Sequence, residues 1–181
     1  MLKKYIKNPI LLSLAEWAVA IGFAAILFFV ARTFIFRFAQ VDGISMEPSL
    51  AHGDVVILNR LSYFFSTPRV DDIVAFPYPN EPSIFYIKRI IARSGDEVDF
   101  RDNNFYINGY RLDDPFSYEL LRHGDVVFPI IIEEGFYFVL GDNRNSSKDS
   151  RFISVGNIAH NDMVGRVWIR IWPLSSFGRV R

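Results

Sequence analysis

No cysteine occurs anywhere in the 181 residues. That excludes disulfides, thiolate metal sites and a cysteine nucleophile. It also suits an exposed compartment, where a free thiol would be open to oxidation. Neither sign of charge is in excess, because 20 Lys and Arg balance 20 Asp and Glu. A neutral chain carries no electrostatic footprint for nucleic acid. Histidine is scarce and scattered over His52, His123 and His160, which gives no zinc-ligand spacing. Repeats and low-complexity tracts are missing as well. What is abundant is apolar: hydrophobic residues make up 50% and aromatics 16%. Such a composition supplies a core and argues against disorder. The length suits one domain plus an appendage.

The appendage is N-terminal. Residues 10–31 form an apolar run of 22, interrupted only by Ser13, Glu16 and Gly22. About 20 helical residues cross the roughly 30 Å hydrocarbon core of a bilayer. A carboxylate deep in lipid is costly, so Glu16 favours a second frame over 17–36. In that frame Trp17 sits at the interface and Arg32 snorkels outward. Both frames fit the sequence. A secretory signal peptide has a shorter apolar region, about 7–15 residues, and Arg37-Phe38-Ala39 is a poor cleavage site. The run is therefore read as a transmembrane anchor. Lys3, Lys4 and Lys7 precede it and Arg32 and Arg37 follow it, a bias toward a cytoplasmic N-terminus. The expected organisation is a short cytoplasmic segment at 1–9, an anchor region at 10–36 and an extracytoplasmic domain at 37–181.

Beyond Phe38 the sequence reads as strands. Short segments rich in Val, Ile, Phe and Tyr recur: "DVVILNR", "DIVAFPY", "SIFYIKRIIA", "NFYING", "GFYFVLGD" and "VGRVWIRIW". Gly, Pro, Asn and Asp punctuate them. "DDPFSYELLRHGD" is polar and irregular, which makes about 100–135 a less regular excursion. The fold class is mostly β, a single N-terminal helix followed by an antiparallel β-sheet domain.

Three places can carry chemistry. Ser45, in "VDGISMEPSL", follows shortly after the anchor. Gly43 permits close backbone approach or an unusual dihedral, and Pro48 ends any strand and starts a turn. A hydroxyl at such a junction projects into a cleft or simply serves the turn. Lys88 is the second. In an extended "SIFYIKRIIAR", one face carries Ile84, Tyr86, Lys88, Ile90 and Ala92. The other carries Phe85, Ile87, Arg89, Ile91 and Arg93 and is expected to reach water. A lysine alone on an apolar face either snorkels out or is buried; if buried, its pKa falls and it can act as a base. The third is "GDNRNSSKDSR" at 141–151, dense in Asp, Asn, Ser and Arg. An EF-hand loop would need Asp or Asn third and Gly sixth; Arg144 and Ser147 stand there. The loop is either polar surface or a fixed hydrogen-bonded scaffold.

In order, the anchor, "GISMEPSL", "GDVVILNR", "DDIVAFPYP", "FYIKRIIARSGDEV" and "GDNRNSSKDSR" resemble the bacterial type I signal peptidases. These are membrane-bound serine proteases that remove signal peptides from exported proteins. The resemblance covers nearly the whole chain and looks like the short forms of Gram-positive bacteria. It implies the signal-peptidase and LexA-like scaffold, with Ser45 as nucleophile and Lys88 as general base. It implies that Ser147 hydrogen-bonds and orients the lysine, that Asp149 and Arg151 form an ion pair, and that Asp142 and Arg144 brace the motif. Many members carry a serine two residues before the nucleophile. Gly43 stands there in this chain, which leaves the oxyanion hole to backbone N–H groups around Gly43 and Ser45.

An extended substrate is expected along strand edges such as 41–44, with Ile44, Tyr86 and Ile90 as pocket walls. The aromatic stretch 61–65 is expected either against the outer leaflet or at a core strand end. Implied partners are signal peptides of secreted preproteins, the lipid bilayer and a nearby secretion translocon. Nucleic acid, metal and organic cofactors are not implied. The competing readings are a specialised Ser–Lys processing peptidase of the pilin type and an inactive membrane-tethered β domain that binds exported peptides.

Overall fold

The computed structural model describes residues 9–30, 35–116 and 123–180. Lys3, Lys4, Lys7 and Arg32, on which the orientation expectation rests, lie outside them. The described residues fall into two compact units, one ending at Phe36 and the other starting at Arg37.

The first unit is helix α1, Pro9–Val30. Its 22 residues make it about 33 Å long at 1.5 Å per residue. Apolar side chains, Ile10, Trp17, Phe23 and Phe29 among them, are exposed all around it. Such a helix lacks the polar face that a water-facing helix needs. It is long and apolar enough to cross a membrane. The frame over 17–36 is corrected at its far end, because Phe36 already belongs to a strand, β1 (Phe36–Gln40).

The second unit continues with β2 (Val55–Asn59), a helical turn α2 (Ser62–Phe65), β3 (Ile73–Tyr78) and β4 (Glu81–Arg93). Then come β5 (Glu97–Arg101), β6 (Asn104–Ile107), β7 (Tyr110–Arg111) and β8 (Ile130–Ile131). The chain closes with β9 (Phe136–Leu140), β10 (Ile158–Ala159), β11 (Gly165–Trp172) and β12 (Gly178–Arg179). The larger sheet has the order β1-β2-β11-β3-β4-β9-β10, with β12 also on β11. The smaller has the order β7-β6-β5-β8.

Burial follows the sequence pattern. In β2 the buried residues alternate, Val56 and Leu58 facing in. The unbroken apolar run of β9 sits between β4 and β10, and Tyr137 to Leu140 are all buried. Part of the expected excursion is regular. Asp102 and Asn103 (φ +50° and +61°), then Asn108 and Gly109 (φ +53° and +81°), supply the left-handed residue pairs that tight hairpins need. Those turns fold β5, β6 and β7 into the smaller sheet.

Strand β4 corrects a second expectation. Its Arg89 face reaches water only at its ends: Phe85 and Arg93 are exposed, but Arg89 and Ile91 are buried. A register shift between Ile90 and Ala92 against β9 breaks the alternation. Ile91 and Ala92 then join one apolar cluster with Phe105 and Phe138, while Ile90 packs with Val74, Phe76 and Val139. Residues 61–65 form no strand end either. They contain the turn α2, with Phe64 and Phe65 both 80% exposed.

Phe138 is fully buried and contacts the rings of Phe105 and Phe128. Phe138→Ala is predicted to cost about 3–5 kcal/mol, read by denaturant unfolding of the detergent-solubilised chain. Phe64→Ala should stay within about 0.5 kcal/mol of wild type.

Candidate active site

Strand β4 carries Lys88 opposite Val74 of β3, in the middle of the larger sheet. The side chain is 3% exposed. Its Nζ lies 2.7 Å from Ser45 Oγ and donates to the Ile87 carbonyl at 3.0 Å. Burial pushes the ammonium pKa down to about 8; Asp149 and Asp142 oppose the shift and Arg151 adds to it. A usable fraction of the amine is therefore neutral near physiological pH. In that form its lone pair can accept the Ser45 proton across the 2.7 Å contact.

Ser45 sits on a tightly tied loop. The Val41 N–H donates to the Asp54 carbonyl, and the Gly53 N–H returns to that of Val41. The Ser45 carbonyl accepts the Asn143 N–H at 3.0 Å, which fastens the serine to the 141–151 motif. Among the described residues, the Ser45 N–H has no acceptor. It is thus unused and open to an oxyanion. The Gly43 N–H is not, because it donates to His52 Nδ1 at 3.1 Å. Gly43 has φ +96°, a conformation that glycine adopts without strain. Residues 41–44 form no strand edge, since β1 ends at Gln40.

The polar motif is a scaffold of buried ion pairs. Asp149 and Arg151 are both fully buried and paired in bidentate fashion, at 2.7 and 2.8 Å. Asp149 also accepts the Gly141 N–H at 3.0 Å. Arg151 donates to the Arg144 and Ser147 carbonyls. Asp142 pairs with Arg89 through two bonds, at 2.8 and 2.7 Å. Arg144 pairs with Asp114 from the excursion and donates to the Gly141 carbonyl.

Ser147 departs from expectation. Its Oγ is buried and makes no hydrogen bond, and the lysine is held instead by the Ile87 carbonyl and Ser45. Ser147 packs against Gly141. A Cβ at Gly141 would collide with the Ser147 side chain and lie 2.5 Å from the Ser45 carbonyl oxygen.

Ser45 and Lys88 open into a cleft of about 380 Å³. Ile44 and Tyr86 line it. Ile90 does not, because it is fully buried in the core. Several contributing residues escaped the sequence reading. Arg89 looked solvated because strand alternation cannot show a covering loop. Asp114 lay in a stretch with no pattern. His52 was noticed only as a non-ligand, and Lys148 only as part of a motif.

A serine hydroxyl against a desolvated amine, on an antiparallel β scaffold, is the arrangement of the Ser–Lys class of acyl-transfer enzymes. Comparison with known proteins agrees. The chain belongs to the family "signal peptidase, peptidase S26", whose sequence model matches residues 14–172. It is 33% identical to signal peptidase IB of Staphylococcus aureus over 180 residues, covering 91% of this chain and 92% of that one. It is 35% identical to signal peptidase I of Bacillus caldolyticus, covering 89% and 91% respectively. A crystal structure of a signal peptidase I from Enterococcus faecalis is 31% identical, with TM-score 0.45, and the match covers 56% of this chain and 97% of that one.

A lysine held near 8 against an ordinary 10.5 lowers stability wherever the unfolded chain is protonated. The unfolded state binds the extra proton between about 8 and 10.5, so stability rises with pH across that window. Lys88→Met is predicted to be more stable than wild type at pH 7 by about 3 kcal/mol. The gap should close as pH rises from about 8 to 10.5. A less stable variant at pH 7 would contradict the desolvation.

Proposed function

We propose that this chain is a membrane-anchored serine endopeptidase that removes signal peptides from exported preproteins. The observation that carries the reading is the 2.7 Å contact between Lys88 Nζ and Ser45 Oγ at a buried, apolar position. Relatives named signal peptidase I and IB, aligned over about nine tenths of the chain, support the substrate class.

The chemistry follows from the groups present. Neutral Lys88 takes the hydroxyl proton as Ser45 Oγ attacks the scissile carbonyl carbon. The Ser45 N–H, free of any acceptor among the described residues, stabilises the developing oxyanion. The lysinium gives its proton to the leaving amine as the C–N bond breaks. The acyl-enzyme ester remains, and Lys88 then deprotonates the water that cleaves it. The Ile87 carbonyl keeps the amine aimed through both half-reactions.

The substrate binds by strand addition. β9 pairs with β4 only from Arg89 to Arg93, so the other edge of β4 carries no β9 strand from Glu81 to Lys88. An extended peptide between that edge and the 43–46 loop would present alternate side chains to the cleft. Asp142, Arg144, Asp149 and Arg151 brace the loop that holds Ser45. The family's preference for small residues before the cut fits a cleft walled by Ile44 and Tyr86.

Helix α1 anchors the enzyme in the bilayer. The basic residues before it favour a cytoplasmic N-terminus, with the peptidase unit on the extracytoplasmic face. Phe64 and Phe65 are available to the outer leaflet.

Ser45→Ala and Lys88→Ala are each predicted to reduce cleavage of a model preprotein about a thousandfold or more. Lys88→Arg should be as inactive, because a guanidinium stays protonated. Wild-type turnover by any of the three would refute the pair. Gly141→Ala should lower kcat about a hundredfold by displacing the Ser45 carbonyl.

A further inference from the structure

The cleft holds a second lysine that the mechanism does not use. Lys148 lines it from the 141–151 motif, as do residues of the loop that bears Ser45. The two lysines differ in surroundings. Lys88 is buried, whereas Lys148 is exposed. Its Nζ donates to no carboxylate among the described residues. It donates instead to the Tyr78 hydroxyl at 2.9 Å and lies 5.1 Å from the centre of that ring.

That hold is itself fixed. The Tyr78 ring stacks on Tyr86 at 4.7 Å, nearly parallel at 13°. The Tyr86 ring lies 5.0 Å from Lys88 Nζ and forms a wall of the cleft. A stacked aromatic pair thus separates a reacting amine from a surface ammonium. The Tyr78 bond pushes the Lys148 pKa up and lowers that of Tyr78. Lys148 therefore keeps its charge around pH 8, where Lys88 loses its proton. Among the described residues that line the cleft, the carboxylate is Asp42, which lies 3.3 Å from His52 Nδ1. Lys148 thus brings a positive charge to the cleft lining that no carboxylate binds directly, with Asp125 acting on it only through space.

We infer that Lys148 is a specificity determinant: it favours an acidic side chain, and disfavours Lys or Arg, at the substrate position that passes Tyr86 and Lys148. The inference rests on the peptidase reading above and deepens it. Side chains of an extended peptide alternate, so the effect falls on one position and spares its immediate neighbours. An exposed charge pair contributes modestly and is screened by salt. The expected preference is therefore about two- to fivefold in kcat/KM.

The test uses the detergent-solubilised full chain and model preproteins. Asp, Asn or Lys is placed singly at each position from three before the cut to three after it. Wild type should cleave the Asp substrate about two to five times better than the Lys substrate at one position, and 0.5 M NaCl should compress the ratio. Lys148→Glu should invert that ratio, and Lys148→Met should flatten it. A wild-type enzyme with no charge preference at any position would overturn the inference. So would a preference that survives unchanged in Lys148→Glu or Lys148→Met. Absence of cleavage of every substrate by wild type is a distinct result, which would overturn the peptidase reading and this inference together.

Discussion

The structure depends on keeping one amine out of water. Lys88 stands on a central strand with apolar neighbours, and its charge is disfavoured because little solvent reaches it. Everything near it either preserves that dryness or aims the amine. β3 pairs beside Lys88 on one edge, and β9 closes the other edge from Arg89 onward. The Ile87 carbonyl fixes the direction of Nζ, and Ser45 receives it.

The charged scaffold serves the same end. Asp142 and Asp149 would each draw the lysine back toward its protonated form. Neither is left alone: Arg89 binds the first and Arg151 the second, each through two bonds. Arg151 offsets part of the carboxylates' pull, and desolvation is the largest effect on Lys88. Buried ion pairs of this kind add little net stability, but they hold geometry. Through the Asn143 N–H and the Ser45 carbonyl, the same scaffold sets the position of the nucleophile. The excursion joins through Asp114 on Arg144, with Phe116 lying over Arg89 and Arg144.

Much of this was legible in the sequence, and the reason differs by feature. The anchor showed because a 22-residue apolar run has few other uses. The β domain showed because β-branched and aromatic runs alternate with turn residues. Lys88 stood out as the lone charge on an apolar strand face, and a period of two captures that pattern. The face of Arg89 and Ile91 was misjudged because period alone does not reveal a bulge or a covering loop. Ile90 was taken for a pocket wall because sharing a face with Lys88 does not mean sharing a cleft. Ser147 was expected to hold the lysine, yet a main-chain carbonyl holds it, and main-chain acceptors leave no mark on sequence.

The central claim is that a desolvated lysine is the base. The most direct measurement is the pH dependence of kcat/KM for preprotein cleavage by the detergent-solubilised full chain. Only the neutral amine accepts the serine proton, so the rate should rise with pH and level off above a midpoint near 8. A midpoint near the ordinary lysine value of 10.5 would contradict the account.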